Sequence, residues 1–214
     1  MKSNKVFLLV AILVVFAGFV ALAVLNRPSA PQTNAPGAVN NELLVRSYSP
    51  VKGKPDAPVT VVEFLDPECE SCRAMHPIVL KLLEEYDGKI KVVIRYMPFH
   101  GNSRFAAAAL EEAREQGKFD QALDALFERQ PEWGDHHNPN PDLIVTILEG
   151  VGVNKNMLGR THLLTKHGSK IEQDNQDGTQ LGVRGTPTFF VNGVMLENIG
   201  YGPVKEAIEK ALAK

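Results

Sequence analysis

Cys69 and Cys72 are the only cysteines of this 214-residue chain, and only Glu70 and Ser71 separate them. A bridge between them closes a ring too short for loop-closure entropy to stabilise a fold appreciably. A structural zinc site needs four ligands, usually from two such pairs, and there is no second pair. The spacing suits reversible dithiol–disulfide exchange instead. One thiolate attacks a substrate disulfide and the other resolves the mixed disulfide. Two rival readings stand beside it. One is a copper(I) carrier using both thiolates with Met195 or a histidine, since soft sulfur ligands suit that ion. The other is a scaffold whose cysteine pair is idle. The chain lacks the Met- or His-rich tracts that would favour copper.

The cysteines follow an apolar run and open a helical pattern, so Cys69 is expected at a helix N-terminus, where unpaired N–H groups and the dipole stabilise a thiolate. Ser71 can add a hydrogen bond. Asp66, Glu68 and Glu70 bring negative charge close in sequence and oppose ionisation. The expected Cys69 pKa is therefore below that of a free thiol and above that of the strongest oxidants.

The elements that must hold this pair are readable in outline. Val59–Leu65 is apolar on both faces, as in a central strand covered by helices. Glu63 shares a face with Val59, Val61 and Leu65, which puts a carboxyl beneath the helix that follows. Buried there, its pKa would be raised, so near neutral pH it could take the proton of Cys72 as that thiol attacks a mixed disulfide. A helix over 69–87 carries the stripe Met75, Ile78, Val79, Leu82, Leu83 and Tyr86, interrupted by Pro77. Residues 90–97 form a second strand. Thr188–Val191 and Val194–Leu196 flank Asn192-Gly193, the signature of a type I′ hairpin, and a last helix opens at Gly202-Pro203. Residues 101–182 read as helices: 104–116 capped by Ser103, 119–129, one after Asn140, one after Asn154, and a weaker one over 169–181. The order is βαβ, a helical block, then ββα, an α/β layer architecture with an insertion.

On Glu63 to Cys72, Pro77, and Gly185 to Gly193, the chain resembles the thioredoxin-fold disulfide oxidoreductases, and the helical block resembles their DsbA-like branch. The resemblance implies Cys69 as exposed nucleophile, Cys72 as buried resolving thiol and Glu63 as buried acid. It also implies a cis Thr186–Pro187 bond beside the disulfide, with Thr186 and Pro187 shaping a substrate groove. The branch often carries Pro-His between its cysteines, where this chain has Glu70-Ser71, so a weaker oxidant is expected. His76, on the active-site helix, is a candidate to tune Cys72; His100 lies in a loop that could border the groove; His136 and His137 read as solvated.

At the N-terminus, Lys2 and Lys5 precede the uncharged run Val6–Leu25, long enough as a helix to span a bilayer core. The charge bias directs the remainder out of the cytoplasm. A signal anchor over 1–25 is expected, with signal cleavage near Ala21-Leu22-Ala23 as the alternative. Residues 26–50, rich in Pro, Asn and Ser, read as a tether, and 51–214 as the folded domain. A net charge of −2 argues against nucleic acid as a partner. The sequence thus predicts a membrane-anchored, periplasm-facing enzyme that needs no cofactor, or its soluble periplasmic form if residues 1–25 are cleaved. Its expected partners are cysteine-containing exported proteins and a membrane redox protein that recycles the pair. Whether it oxidises, reduces or isomerises is open.

Overall fold

The structure is a computed structural model, and it describes residues 41–214. A five-stranded sheet runs in the order β1-β3-β2-β4-β5. β2 (Val59–Leu65) and β3 (Ile90–Tyr96) pair in parallel across α2 (Glu70–Glu85), making the expected βαβ unit. β4 (Thr188–Val191) lies antiparallel on β2 and continues through a tight turn into β5 (Val194–Met195) and α8 (Tyr201–Leu212). The turn residues Asn192 and Gly193 both have positive φ, 45° and 86°, as a type I′ hairpin requires. Between the halves run α3 (Ser103–Glu115), α4 (Phe119–Glu128), the short α5 (Gln130–Trp133), α6 (Leu143–Gly150) and α7 (Arg160–Gln180).

Strand alternation divides the core in two. Val59, Val61 and Leu65 face α2, α8 and the inserted helices, whereas Val62, Phe64, Val93 and Met97 face the opposite side with Leu44 and Val183. Glu63 points to the first face, as its position in the strand predicted.

Three expectations need correction, and one strand was not foreseen. The tether reading is overturned over residues 41–50. Asn41–Leu44 is a helical turn, α1, Leu44 is buried, and the Arg46 guanidinium pairs with Asp177 at 2.7 Å. Val51–Gly53 is a strand, β1, antiparallel to β3, too short to show a period. Helix α7 is 21 residues long rather than confined to 169–181. Ser103 is the first residue of α3 rather than its cap; its hydroxyl is bonded to Glu68 instead. The expected anchor over 1–25 lies outside the described residues, and among those described no helix is long and apolar enough to cross a membrane.

The second face is held by charge as well as by apolar packing. Arg95, fully buried in β3, donates to Asp174 at 2.8 Å, to Asp177 at 2.6 Å and to the Leu43 carbonyl at 2.6 Å. Gly178 lets α7 approach so closely that an added Cβ would lie 2.8 Å from Met97 Sδ and 3.0 Å from Phe64 Cε1.

Candidate active site

Cys69 is the residue at which the chain turns from the β2–α2 connection into α2. Its backbone is extended (φ −81°, ψ 124°), and no side-chain cap occupies the helix start. The first free N–H groups of α2 are therefore available to the sulfur. Cys72 lies one turn further on and is fully buried; Cys69, expected to be exposed, is largely buried too and keeps 8 % of its surface, because the Thr186–Pro187 loop lies against its sulfur. Both are free thiols. Cys69 Sγ lies 3.3 Å from the carbonyl oxygen of Thr186, to which its thiol donates, and the Thr186–Pro187 bond is cis. Cys72 Sγ accepts from the Asp66 N–H at 3.4 Å.

These surroundings separate the two thiols. The Cys69 pKa is pulled down to about 5, chiefly by a hydrogen bond from the Cys72 thiol; burial opposes this, while the Thr186 side chain and the backbone N–H groups of Cys72 and Ser71 reinforce it. Cys72 is pushed up, first by burial, then by its bond to Cys69 and by the charge of Glu63. At neutral pH one sulfur is ionised and its neighbour keeps its proton. Glu63 sits in the middle of β2, opposite Ile94 on β3 and Phe189 on β4. Burial raises its pKa to about 8 against the opposing charge of Lys52.

The acidic residues beside Cys69 are committed elsewhere. Asp66 Oδ2 accepts from the N–H groups of Phe99 (2.8 Å) and His100 (3.2 Å), and His100 Nδ1 lies 2.7 Å from it. Glu68 accepts from Asn102 N at 2.6 Å and Nδ2 at 2.9 Å, and from the Ser103 hydroxyl. Both carboxylates staple the active-site loop to residues 99–103, the entry to the inserted helices. Glu70 is exposed and pairs with His136 at 2.9 Å, whose ring meets that of His100 at 5.0 Å. Burial works against a charged His100, but the hydrogen bond and charge of Asp66, with Cys69 and Glu68, outweigh it and raise its pKa.

Of the residues singled out from the sequence, Cys69, Cys72, Ser71, Glu70, Thr186 and Pro187 converge, with Glu63 beneath. His76 does not. Its Nε2 lies 2.6 Å from Asp124 Oδ1 and its ring packs on Phe127, so it ties α2 to α4. His136, read as solvated, belongs to the rim. Gln130 was not foreseen: its Nε2 donates to the carbonyls of Pro67 (2.9 Å) and Cys69 (3.0 Å), fixing the loop from the insertion side. A glutamine after a helix carries no sequence signal of such a role.

The copper reading finds no third ligand. Met195 pairs with Phe190 on the outermost strand, two strands from β2, and among the described residues no His, Asp or Glu joins the sulfurs in a ligand cluster. Glu112, Glu115 and His167 do bring ligand atoms within 4.8 Å of one another. Lys166 Nζ, however, lies 2.7 Å from both carboxylates and already supplies the positive charge.

A redox-shaped CxxC at a helix start, a cis-proline loop against it and a helical insertion define a DsbA-like thiol–disulfide oxidoreductase of the thioredoxin fold. The thioredoxin family matches residues 46–210, and the chain belongs to it. It is 33 % identical over 175 residues to disulfide bond formation protein D of Bacillus subtilis, covering 76 % of this chain and 77 % of that one. A probable disulfide bond formation protein D of Bacillus cereus is 32 % identical, with both chains covered in full. The crystal structure of oxidised BdbD from B. subtilis superposes with a TM-score of 0.71 at 31 % identity, over 83 % of this chain and 97 % of that one. The chain is also 37 % identical to part of a Na(+)/H(+) antiporter NhaA 3 of Salinispora tropica, but spans only 21 % of that protein's length.

Proposed function

We propose that this protein is an extracytoplasmic thiol–disulfide oxidoreductase that exchanges disulfides with exported proteins through Cys69 and Cys72. The observation that carries the reading is the split between the two sulfurs: a Cys69 that retains a small exposed surface and has its pKa near 5, beside a fully buried Cys72 that keeps its proton. In the reducing direction the Cys69 thiolate attacks a substrate disulfide, forming a mixed disulfide and releasing one substrate thiolate, which takes up a proton. Cys72, giving its proton to the ionised form of Glu63, then attacks Cys69 Sγ and expels the second substrate thiolate. The substrate gains two electrons and the protein closes its disulfide. The oxidising direction runs the same steps backwards. Thr186, whose carbonyl faces Cys69, is assigned to pair with an extended substrate backbone, with Pro187 forming the wall beside it. Glu70 and Ser71 tune the nucleophile.

An external dithiol or disulfide protein must recycle the pair, since the chain has no further cysteine. Residues 1–25 are assigned as the membrane anchor that holds the domain outside the cytoplasm, a reading supported by the uncharged run after Lys2 and Lys5. The direct test is the Cys72→Ala variant in cells, which is expected to accumulate mixed disulfides through Cys69; their absence, with Cys69 reactive in the purified protein, refutes the reading.

A further inference from the structure

Two cavities open side by side along the outer flank of α2 and share Arg73 as a wall. The first, about 310 Å³, starts at Glu70, the residue next to Cys69, and is closed opposite by Gln130, Asp135 and His136. The second, about 300 Å³, continues over Pro77 and Leu80, with Asp124 and Glu128 across from them. The exchange chemistry uses neither, and Leu80 lies open on the floor at 37 % exposure.

We propose that this trough seats the polypeptide flanking a substrate's reactive cysteine, taking a basic side chain in the first cavity and an apolar one in the second. The proposal rests on the thiol–disulfide reading above and specifies its substrate class. Three observations support it. The trough is continuous with the nucleophile, because its first wall is Glu70. Its rim is acidic: Glu70, Asp124, Glu128 and Asp135 face the single fixed cation Arg73. Two of the imidazoles there are already engaged, His76 with Asp124 and His136 with Glu70, which leaves His137 as the third imidazole, with Glu128 and Asp135 as the other titratable groups of the lining. Finally, Gln130 is buried, and its Nε2 is committed to two backbone carbonyls. Its Oε1 can only accept, and it has no donor. Leaving a buried acceptor unmet is costly, which marks the cavity wall at Gln130 as polar and incompletely satisfied.

Geometry sets the spacing. From Glu70 to Leu80 the helix advances about 15 Å, a span that an extended chain covers in four to five residues at roughly 3.3 Å each. The basic residue therefore falls one or two positions from the cysteine, and the apolar residue about three further on.

The test uses cysteine peptides disulfide-linked to a chromophoric thiol, with either a Lys/Leu flank at this spacing or a Glu/Ser flank. The Lys/Leu peptide is expected to react about tenfold faster, a difference carried by KM. Leu80→Asp and Glu128→Lys, both at exposed positions, are expected to abolish that preference while leaving exchange with a small aromatic disulfide unchanged. Leu80→Ser, the milder change, guards against misfolding in the aspartate variant. Equal rates for the two peptides, or a preference that survives in the variants, would overturn the trough while leaving the oxidoreductase reading intact. So would variants that exchange normally with both peptides but are no longer recycled in cells, which would assign the trough to the recycling partner. Failure of the wild type to react with any disulfide would remove the oxidoreductase reading and the trough with it.

Discussion

Glu63 is the most quantitative handle on this site. Its carboxyl titrates at about 8 in the folded protein against an ordinary value of 4.5, because burial penalises the charged form. The folded state therefore keeps a proton that the unfolded chain releases, and stability falls as pH rises between those values. With each pKa unit worth about 1.36 kcal/mol, the penalty grows from about 0.8 kcal/mol at pH 5 to about 3.3 at pH 7 and about 4.7 at pH 9. Glu63→Gln removes the titration and keeps the shape. Urea unfolding of the reduced protein across this range, in a Cys69→Ser background so that the nucleophile's own titration drops out, should show the two proteins diverging. The glutamine variant is expected to gain about 2.5 kcal/mol on the parent between pH 5 and pH 7. Its absolute stability carries the cost of a buried amide, so the slope is the quantity that decides. Parallel curves would mean that the Glu63 pKa stays near its ordinary value in the folded state, leaving a carboxylate too weakly basic to take a thiol proton, and the proton-acceptor role would fall with them. If the slopes diverge, the same variant should slow the resolving step, read as mixed-disulfide lifetime in single-turnover exchange.

Thiolate absorbance of the reduced protein should rise with a midpoint near pH 5 that disappears in Cys69→Ser; a midpoint in the ordinary thiol range would refute the helix-start argument. A lowered thiol pKa stabilises the reduced folded form above pH 5, and that stability is lost as pH falls through the folded value. At pH 7 the gain is about 2.7 kcal/mol before screening and roughly half that on the solvent-open side, which raises the potential by roughly 30 mV. Equilibration with glutathione buffers, compared with a variant whose Cys69 pKa is measured as higher, checks the sign. Arg95→Met leaves Asp174 and Asp177 buried without their shared cation and should cost about 3–5 kcal/mol in urea unfolding. Gly178→Ala drives a methyl into Met97 and Phe64 and should cost about 1–3 kcal/mol by the same measurement, with the active-site titration unchanged.

The parts of the fold that were legible in the sequence are those whose signals are local and apolar. β2, α2 and the Asn192-Gly193 hairpin stand where alternation, helical spacing and turn chemistry put them. Helix α7 was read short for the opposite reason. Its buried face carries His167, Asp174, Asp177 and Gly178 alongside Leu163 and Ile171, so a hydrophobic period is nearly absent. The same cause hid the start of the domain. Arg46 and Tyr48 look like tether residues until Asp177 and Asp174 are found opposite them, more than a hundred positions away.

The electrostatics of the nucleophile show where sequence distance misleads. Asp66, Glu68 and Glu70 lie within three residues of Cys69, and nearness in the chain suggests a negative surrounding. Two of them turn instead to residues 99–103, where backbone N–H groups and Asn102 absorb their charge, and the third takes His136. By gripping that loop, Asp66 also fixes His100 and, against the effect of burial, raises its pKa. The histidine absent between the two cysteines thus has a counterpart at the rim, His100, carried on a loop some thirty residues downstream and held there by one of the acids expected to oppose ionisation. The expected intermediate thiol acidity survives, but the balance behind it differs: backbone donors and the Cys72 thiol lower the Cys69 pKa against burial, and the nearby carboxylates are largely spent.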